Sequence, residues 1–295
     1  MEGHPRERVL TVGAGRLHVR DIGDDAGRPI VVLHGGPDFD YEYLLPEIDR
    51  LADLGRLVVY AQRGRGRSYN GEGADAVSID SDVADLDAIR DWTGGERVVL
   101  IGHSWGTVLA MEYATRHPDR VSHLGLVSSA PASHADAVAL RSHLRTLRTP
   151  EQRERMAELW TDQAFLAGDV QAEAEYYRMH FARALHEPED VDVIVGRLRR
   201  TFTPEAIVAA RAIEDRLYEQ TWDVESYDLL GRLASLGAPT LVLRGDHDFI
   251  PTAVSEHIAA AIPGSRFVPL EGGGHFPFME RPAAVHAAIA ELLAH

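Results

Sequence analysis

Gly102-His103-Ser104-Trp105-Gly106 decides how this chain is read. It is a G-x-S-x-G pentapeptide. Arg97-Val98-Val99-Leu100-Ile101 precedes it and Thr107-Val108-Leu109-Ala110-Met111-Glu112-Tyr113 follows it. The apolar, β-branched run before it predicts a buried strand, and the run after it predicts a helix with Val108, Leu109, Met111 and Tyr113 available for packing. Strand, tight turn and helix are the setting in which a serine sits on a strained turn with Oγ clear of the sheet. The flanking glycines suit a turn where backbone passes too close for a Cβ. Ser104 is therefore the candidate nucleophile.

Outward from that turn, the first third of the chain alternates in the α/β manner. Residues 9–12 and 17–21 read as short strands joined at Gly13-Ala14-Gly15, and 30–33 and 57–61 as buried strands. Leu44, Leu45, Ile48, Leu51 and Leu54 recur at helical spacing, as do Ile79, Val83, Leu86 and Ile89, with Ser78 and Asp80 as candidate caps. Residues 121–127 read as a further strand. Such alternation predicts a mostly parallel sheet flanked by helices. From about 131 to 227 the composition turns to Ala, Arg, Glu and Leu with helical periodicity and no convincing strand. Alternation returns with a strand at 240–244, a helix near 252–262, a strand at 266–270 and a last helix from 282. The expected organisation is a core made of 1–130 and 228–295, interrupted by a helical block at 131–227.

Bulk properties narrow the function classes. The 295 residues hold no cysteine, which removes disulfides, thiol nucleophiles and cysteine-based zinc sites. All 30 basic residues are arginine, so no Ser–Lys dyad, Schiff base or P-loop lysine is available. A formal charge of −16 argues against nucleic acid, which needs clustered positive charge. No apolar run reaches membrane-spanning length. The segment Met1-Glu2-Gly3-His4-Pro5-Arg6-Glu7-Arg8 lacks the apolar core of a signal peptide, so a cytoplasmic location is expected.

A serine hydroxyl needs a base, the base needs an orienting acid, and the developing oxyanion needs fixed donors. His275, in Glu271-Gly272-Gly273-Gly274-His275-Phe276-Pro277, follows a strand and lies in a glycine-rich loop before the last helix. Asp248, in Arg244-Gly245-Asp246-His247-Asp248, leaves another strand, with Asp246 as its competitor. The order Ser…Asp…His matches a known triad arrangement. The loop His34-Gly35-Gly36-Pro37 follows the 30–33 strand, so the amides of Gly36 and Trp105 are the expected oxyanion donors. His103, beside the nucleophile, reads as structural. Asp246-His247-Asp248 could suggest metal ligands, but neighbours in an extended loop diverge and no further histidine cluster supports it. No metal or organic cofactor is expected.

These segments together resemble the α/β-hydrolase fold and, within it, the proline iminopeptidase-like serine peptidases. Members of that group show HGGPG, D-Q-R-G-x-G-x-S, G-G-S-W-G, G-x-x-D and a late G-H. Here the corresponding residues are His34-Gly35-Gly36-Pro37-Asp38, Ala61-Gln62-Arg63-Gly64-Arg65-Gly66-Arg67-Ser68, Gly102-His103-Ser104-Trp105-Gly106, Gly245-x-x-Asp248 and Gly274-His275. Asp38, Ala61 and His103 depart from the pattern, and His103 is more typical of esterases and lipases. The glycine-rich 63–68 stretch reads as a tight turn bordering the pocket rather than a phosphate-binding loop. The resemblance implies a helical cap at 131–227 and a carboxylate that holds a substrate ammonium, for which Glu214 and Glu175 are the candidates. Phe249 stands where some members carry a second carboxylate. The implied activity is release of N-terminal residues from small peptides or amides through an acyl-enzyme. An esterase, lactonase or carbon–carbon bond hydrolase is the alternative, and a ligand-binding protein without turnover is an alternative of another class. Haloalkane dehalogenases and epoxide hydrolases place an aspartate where Ser104 stands. The expected partner is a small molecule or short peptide, with no nucleic acid and no membrane.

Overall fold

The computed structural model describes residues 4–13 and 15–295, so Met1–Gly3 and the Ala14 of the first turn lie outside the described residues. Eight strands form one sheet in the order β1-β2-β4-β3-β5-β6-β7-β8. β1 (Arg6–Val12) and β2 (Gly15–Ile22) make an antiparallel edge. β3 (Pro29–Leu33), β4 (Arg56–Tyr60), β5 (Val98–His103), β6 (Val121–Val127), β7 (Thr240–Gly245) and β8 (Arg266–Leu270) run parallel. Every residue of β4, β5 and β7 is buried, as expected of strands covered on both faces.

Helix α1 (Ile79–Thr93) starts at Ser78, whose hydroxyl accepts from the Ser81 amide while Ser81 Oγ accepts from the Ser78 amide. α2 (Trp105–Arg116) leaves β5 directly. The helical spacing at 44–54 does not give an α-helix. Two 3₁₀ segments, Tyr41–Leu44 and Glu47–Asp53, stand there instead. Pro46 lies between them, and its missing N–H and its ring break a helical ladder.

Between β6 and β7 the described elements are helical. They comprise α3 (His134–Leu147), α4 (Pro150–Leu159), α5 (Gln163–Leu166), α6 (Val170–His180), α7 (Val191–Leu198), α8 (Pro204–Gln220) and α9 (Leu230–Leu233). Ser133 and Asp228 pair across an isolated antiparallel bridge, so the chain leaves and re-enters the core side by side. α10 (Thr252–Ala261), α11 (Pro277–Glu280) and α12 (Pro282–Leu292) complete the chain. Among the described residues, no helix is long and apolar enough to cross a membrane.

Since β3 to β8 are parallel, the segments that follow β3, β5, β7 and β8 all emerge at the same carboxyl edge of the sheet. That edge is where α/β sheets place their ligands.

Candidate active site

Ser104 joins β5 to α2 with φ 51° and ψ −122°, a region that non-glycine residues avoid. Its amide donates to Val127 O (3.0 Å), and its carbonyl accepts from Thr107 N (2.9 Å) and Thr107 Oγ1 (2.7 Å). These bonds hold a conformation that costs on the order of 1–3 kcal/mol. The close packing explains both glycines. A Cβ on Gly102 would lie 2.5 Å from Gly106 O, and one on Gly106 would strike the Leu33 carbonyl.

His275 Nε2 is 3.0 Å from Ser104 Oγ, and Nδ1 is 2.9 Å from Asp248 Oδ1. Asp248 can only accept, so Nδ1 carries the proton and Nε2 presents a lone pair to the hydroxyl. Asp248 also accepts from the Ile250 amide (2.9 Å). Burial pushes the Asp248 carboxyl up, but the His275 charge and hydrogen bond and the Ile250 amide outweigh it, leaving the group below its ordinary value. The competitor Asp246 faces partly to solvent with its carboxylate 3.8 Å from His247 Nε2.

The Gly35 amide is engaged by Tyr43 Oη (2.6 Å). Among the described residues, the amides of Gly36 and Trp105 have no protein acceptor, and both residues border the cavity around Ser104. Trp105 opens α2, so the positive end of that helix faces the place where negative charge would develop.

His103 proves to be a link between the two halves of the site. The His275 carbonyl can only accept, so His103 Nε2, 2.7 Å away, donates to it. Burial pushes the His103 imidazole down to about 3 and keeps it neutral. Nδ1 therefore accepts from Tyr43 Oη (2.7 Å), and the Tyr43 oxygen accepts from Gly35 N. One directional chain thus ties the loop after β3 to the main chain of His275. Glu280 supports the loop after β8 that carries His275, accepting from the amides of Gly274 (2.9 Å) and Phe276 (3.2 Å), and also from that of His186 (2.7 Å). Nothing in the sequence pointed to Tyr43 or Glu280.

A cavity of about 330 Å³ opens over Ser104. Core residues form its floor, and α3, α6 and α8 supply walls that include Tyr176, Tyr177, Tyr218, Arg148 and Glu214. Glu214 Oε1 accepts from Tyr218 Oη (2.7 Å). Burial, followed by the charge of Asp38, pushes its carboxyl up to about 8. Glu175 does not join it. Its carboxylate pairs with Arg155 (2.6 Å) on the outer side of α6 and does not line the cavity. The inward carboxylate of α6 is Glu173, which pairs with buried Arg199 (2.9 Å).

Arg199 also pairs with Asp38 Oδ2 and donates to the Asp38 carbonyl, while Tyr177 Oη donates to Asp38 Oδ2 (2.7 Å). The residue that departs from the last glycine of HGGPG is therefore the anchor of the helical segment on the loop after β3. The 63–68 stretch forms a turn in which Arg65 pairs with Asp82 (2.8 Å) and donates to Pro37 O (2.7 Å). It supports that same loop and does not line the cavity. Asp246 and His247 meet a histidine that is distant from them in the sequence. His186 of the helical segment brings a ligand atom to within 4.8 Å of theirs, a group of metal-binding types at the surface.

Residues 28–282 match the alpha/beta hydrolase fold family. The chain belongs to the α/β-hydrolase fold family. This hydrolase is 30% identical to epoxide hydrolase A of Mycobacterium tuberculosis over 99% of its own length and 98% of that protein. It is 26% identical to a proline iminopeptidase of Saccharolobus solfataricus, covering 91% of this chain and 85% of that one. The crystal structure of a proline iminopeptidase from Mycobacterium smegmatis superposes with a TM-score of 0.71 at 25% identity, over 98% of both chains. The resemblance to proline iminopeptidases therefore extends along nearly the whole chain.

Proposed function

We propose that this hydrolase is a serine hydrolase working through an acyl-enzyme. The observation that carries the proposal is the His275 ring bridging Ser104 Oγ at 3.0 Å and Asp248 at 2.9 Å. Ser104 Oγ attacks the substrate carbonyl while His275 Nε2 takes its proton. The Gly36 and Trp105 amides hold the oxyanion, and the imidazolium beside Asp248 returns the proton to the leaving group. Water, deprotonated by the same nitrogen, then releases the acid. The helical segment 131–227 serves as the cap that closes the cavity over these groups.

The proposed substrates are small amides or peptides with a free N-terminus, in the manner of a proline iminopeptidase. Glu214 supports this as a cavity carboxylate that Tyr218 holds but that has no ion-pair partner among the described residues. An arriving ammonium would replace its proton. Epoxide opening is disfavoured by the nucleophile. A carboxylate gives an ester that water can cleave at its carbonyl, whereas Ser104 would give an ether with no carbonyl to attack. The aromatic lining also suits an esterase or carbon–carbon bond hydrolase acting on an apolar acyl group.

Ser104→Ala should abolish turnover and labelling by a fluorophosphonate. Retained labelling would identify another nucleophile and end the proposal. Glu214→Gln should impair aminoacyl amides far more than p-nitrophenyl esters, and equal losses on both would remove the peptidase reading in favour of the esterase one.

A further inference from the structure

Among the described residues, the arginines around the cavity are matched by carboxylates, with one exception. Arg141 pairs with Asp223 (2.7 Å), and Asp38 is held by Arg199. Burial pushes His180 and His103 down to about 3, so both are neutral. Arg148 lines the cavity and, among the described residues, has no carboxylate within ion-pair distance. Its side chain makes one hydrogen bond, from Nη2 to Nδ1 of neutral His180 (3.0 Å), which leaves most of the guanidinium's five N–H groups unused.

The ordinary structural explanation for an arginine here is helix capping, because Arg148 follows α3 and cations favour helix C-termini. Its guanidinium does not take that role, since it reaches across to His180 at the end of α6 and bonds no carbonyl of α3. Burial lowers the Arg148 pKa, the opposite of what an ion-paired arginine shows. The free fork of a guanidinium fits the two oxygens of a carboxylate. A partly buried cation facing a ligand cavity, oriented by a neutral histidine and lacking a counter-ion, is built for an anion that arrives with the ligand.

We infer that Arg148 receives a carboxylate of the substrate, so that this hydrolase acts on short acyl compounds bearing a free carboxylate. This rests on the serine-hydrolase reading above. Combined with Glu214 on α8, it describes a di- or tripeptide held at both ends, one at the ammonium and one at the carboxylate. A cavity of about 330 Å³ suits a molecule of that size.

The test uses two matched pairs of substrates. The first pair is alanyl-glycine and alanyl-glycinamide. The second is p-nitrophenyl hydrogen succinate and its neutral methyl ester. The parent should favour the anionic member of at least one pair by tenfold or more in kcat/KM, mostly through KM, on the order of one charge-assisted hydrogen-bonded pair. In Arg148→Met that preference should collapse toward unity, and Arg148→Lys should retain part of it. A preference unchanged in Arg148→Met, or a parent that favours the neutral members, overturns the inference. Should Arg148→Met fail to fold, inhibition of the parent by N-acetylglycine against N-acetylglycinamide decides. Tighter binding of the acid supports the inference, and equal binding overturns it. Loss of the peptidase reading would show separately, as no turnover of either peptide, and the ester pair would still judge Arg148. Absence of all turnover together with absence of fluorophosphonate labelling would instead overturn the serine-hydrolase reading and this inference with it.

Discussion

Replacing Glu214 by glutamine should make this hydrolase more stable in mildly alkaline solution, while removing the group proposed to bind the substrate ammonium. The carboxyl, carried by α8, borders the cavity and is raised from 4.5 to about 8 by burial and by Asp38. In the unfolded chain it titrates near 4.5. Between those two values the folded protein keeps a proton that the unfolded chain has lost. Stability therefore falls as pH rises across that window. The contribution is fully present below about 4.5 and fully lost above about 8. At about 1.4 kcal/mol per pH unit the ceiling is about 5 kcal/mol. The side chain lines a cavity that water reaches and is not wholly shielded, so hydration of the carboxylate lowers that ceiling. A net effect of about 1–3 kcal/mol is expected.

Glutamine keeps an oxygen for Tyr218 Oη and has no proton to lose. Urea denaturation at pH 4, 6, 8 and 9 should show Glu214→Gln and the parent differing little at pH 4 and diverging up to pH 8, with the variant the more stable, then running parallel. Ammonium binding supplies the matching kinetic signature. The carboxyl must release its proton to bind the cation, so KM for an aminoacyl amide should fall at least tenfold from pH 6 to pH 8 in the parent, and much less for a neutral ester. Stability curves that stay parallel across pH 4–9 would refute a carboxyl held protonated by its surroundings. A KM of the amide that does not move with pH would refute its use as the ammonium receptor.

Tyr43→Phe should strip the buried Gly35 amide and His103 Nδ1 of their partner, at about 1–3 kcal/mol each, with kcat falling about tenfold and KM little changed as the loop after β3 and the His275 main chain lose their tie. Unaltered denaturation midpoint and kcat would show the chain to be incidental. Arg199→Met leaves buried Asp38 without a cation and Glu173 with Arg211 alone (3.3 Å), and should cost about 3–5 kcal/mol, read as a lower urea midpoint. A variant as stable as the parent would mean that the helical segment is anchored by its other contacts alone. Glu280→Ala should lower kcat on esters and amides alike, because the Gly274 and Phe276 amides on either side of His275 lose their acceptor. An effect confined to one substrate class would point to substrate contact instead.

What could be read in the sequence was whatever the chain states locally. The Ser104 turn needs glycine at 102 and 106 because backbone packs against both, and that requirement is written in five adjacent letters. The central strands β4, β5 and β7 are short runs buried on both faces, so composition alone marks them. Asp248 and His275 lie far from Ser104 in sequence, yet each sits in a loop leaving a parallel strand, and the sheet carries such loops to one edge. Helix phase was harder. Glu173 and Tyr177 lie four residues apart on the inner side of α6, whereas Glu175 is two residues on and faces outward to Arg155. In a helix this rich in Ala and Glu, no apolar stripe announces which carboxylate turns inward. The spacing at 44–54 matched a helix only while Pro46 was ignored. Tyr43 with His103, and Asp38 with Arg199, are long-range pairs whose partners share no motif. Two of the three departures from the family pattern fall in those pairs. His103 carries the hydrogen bond to the His275 carbonyl, and Asp38 docks the helical segment on the loop after β3. The residues that look like defects in the motif are thus the ones that join its separate pieces.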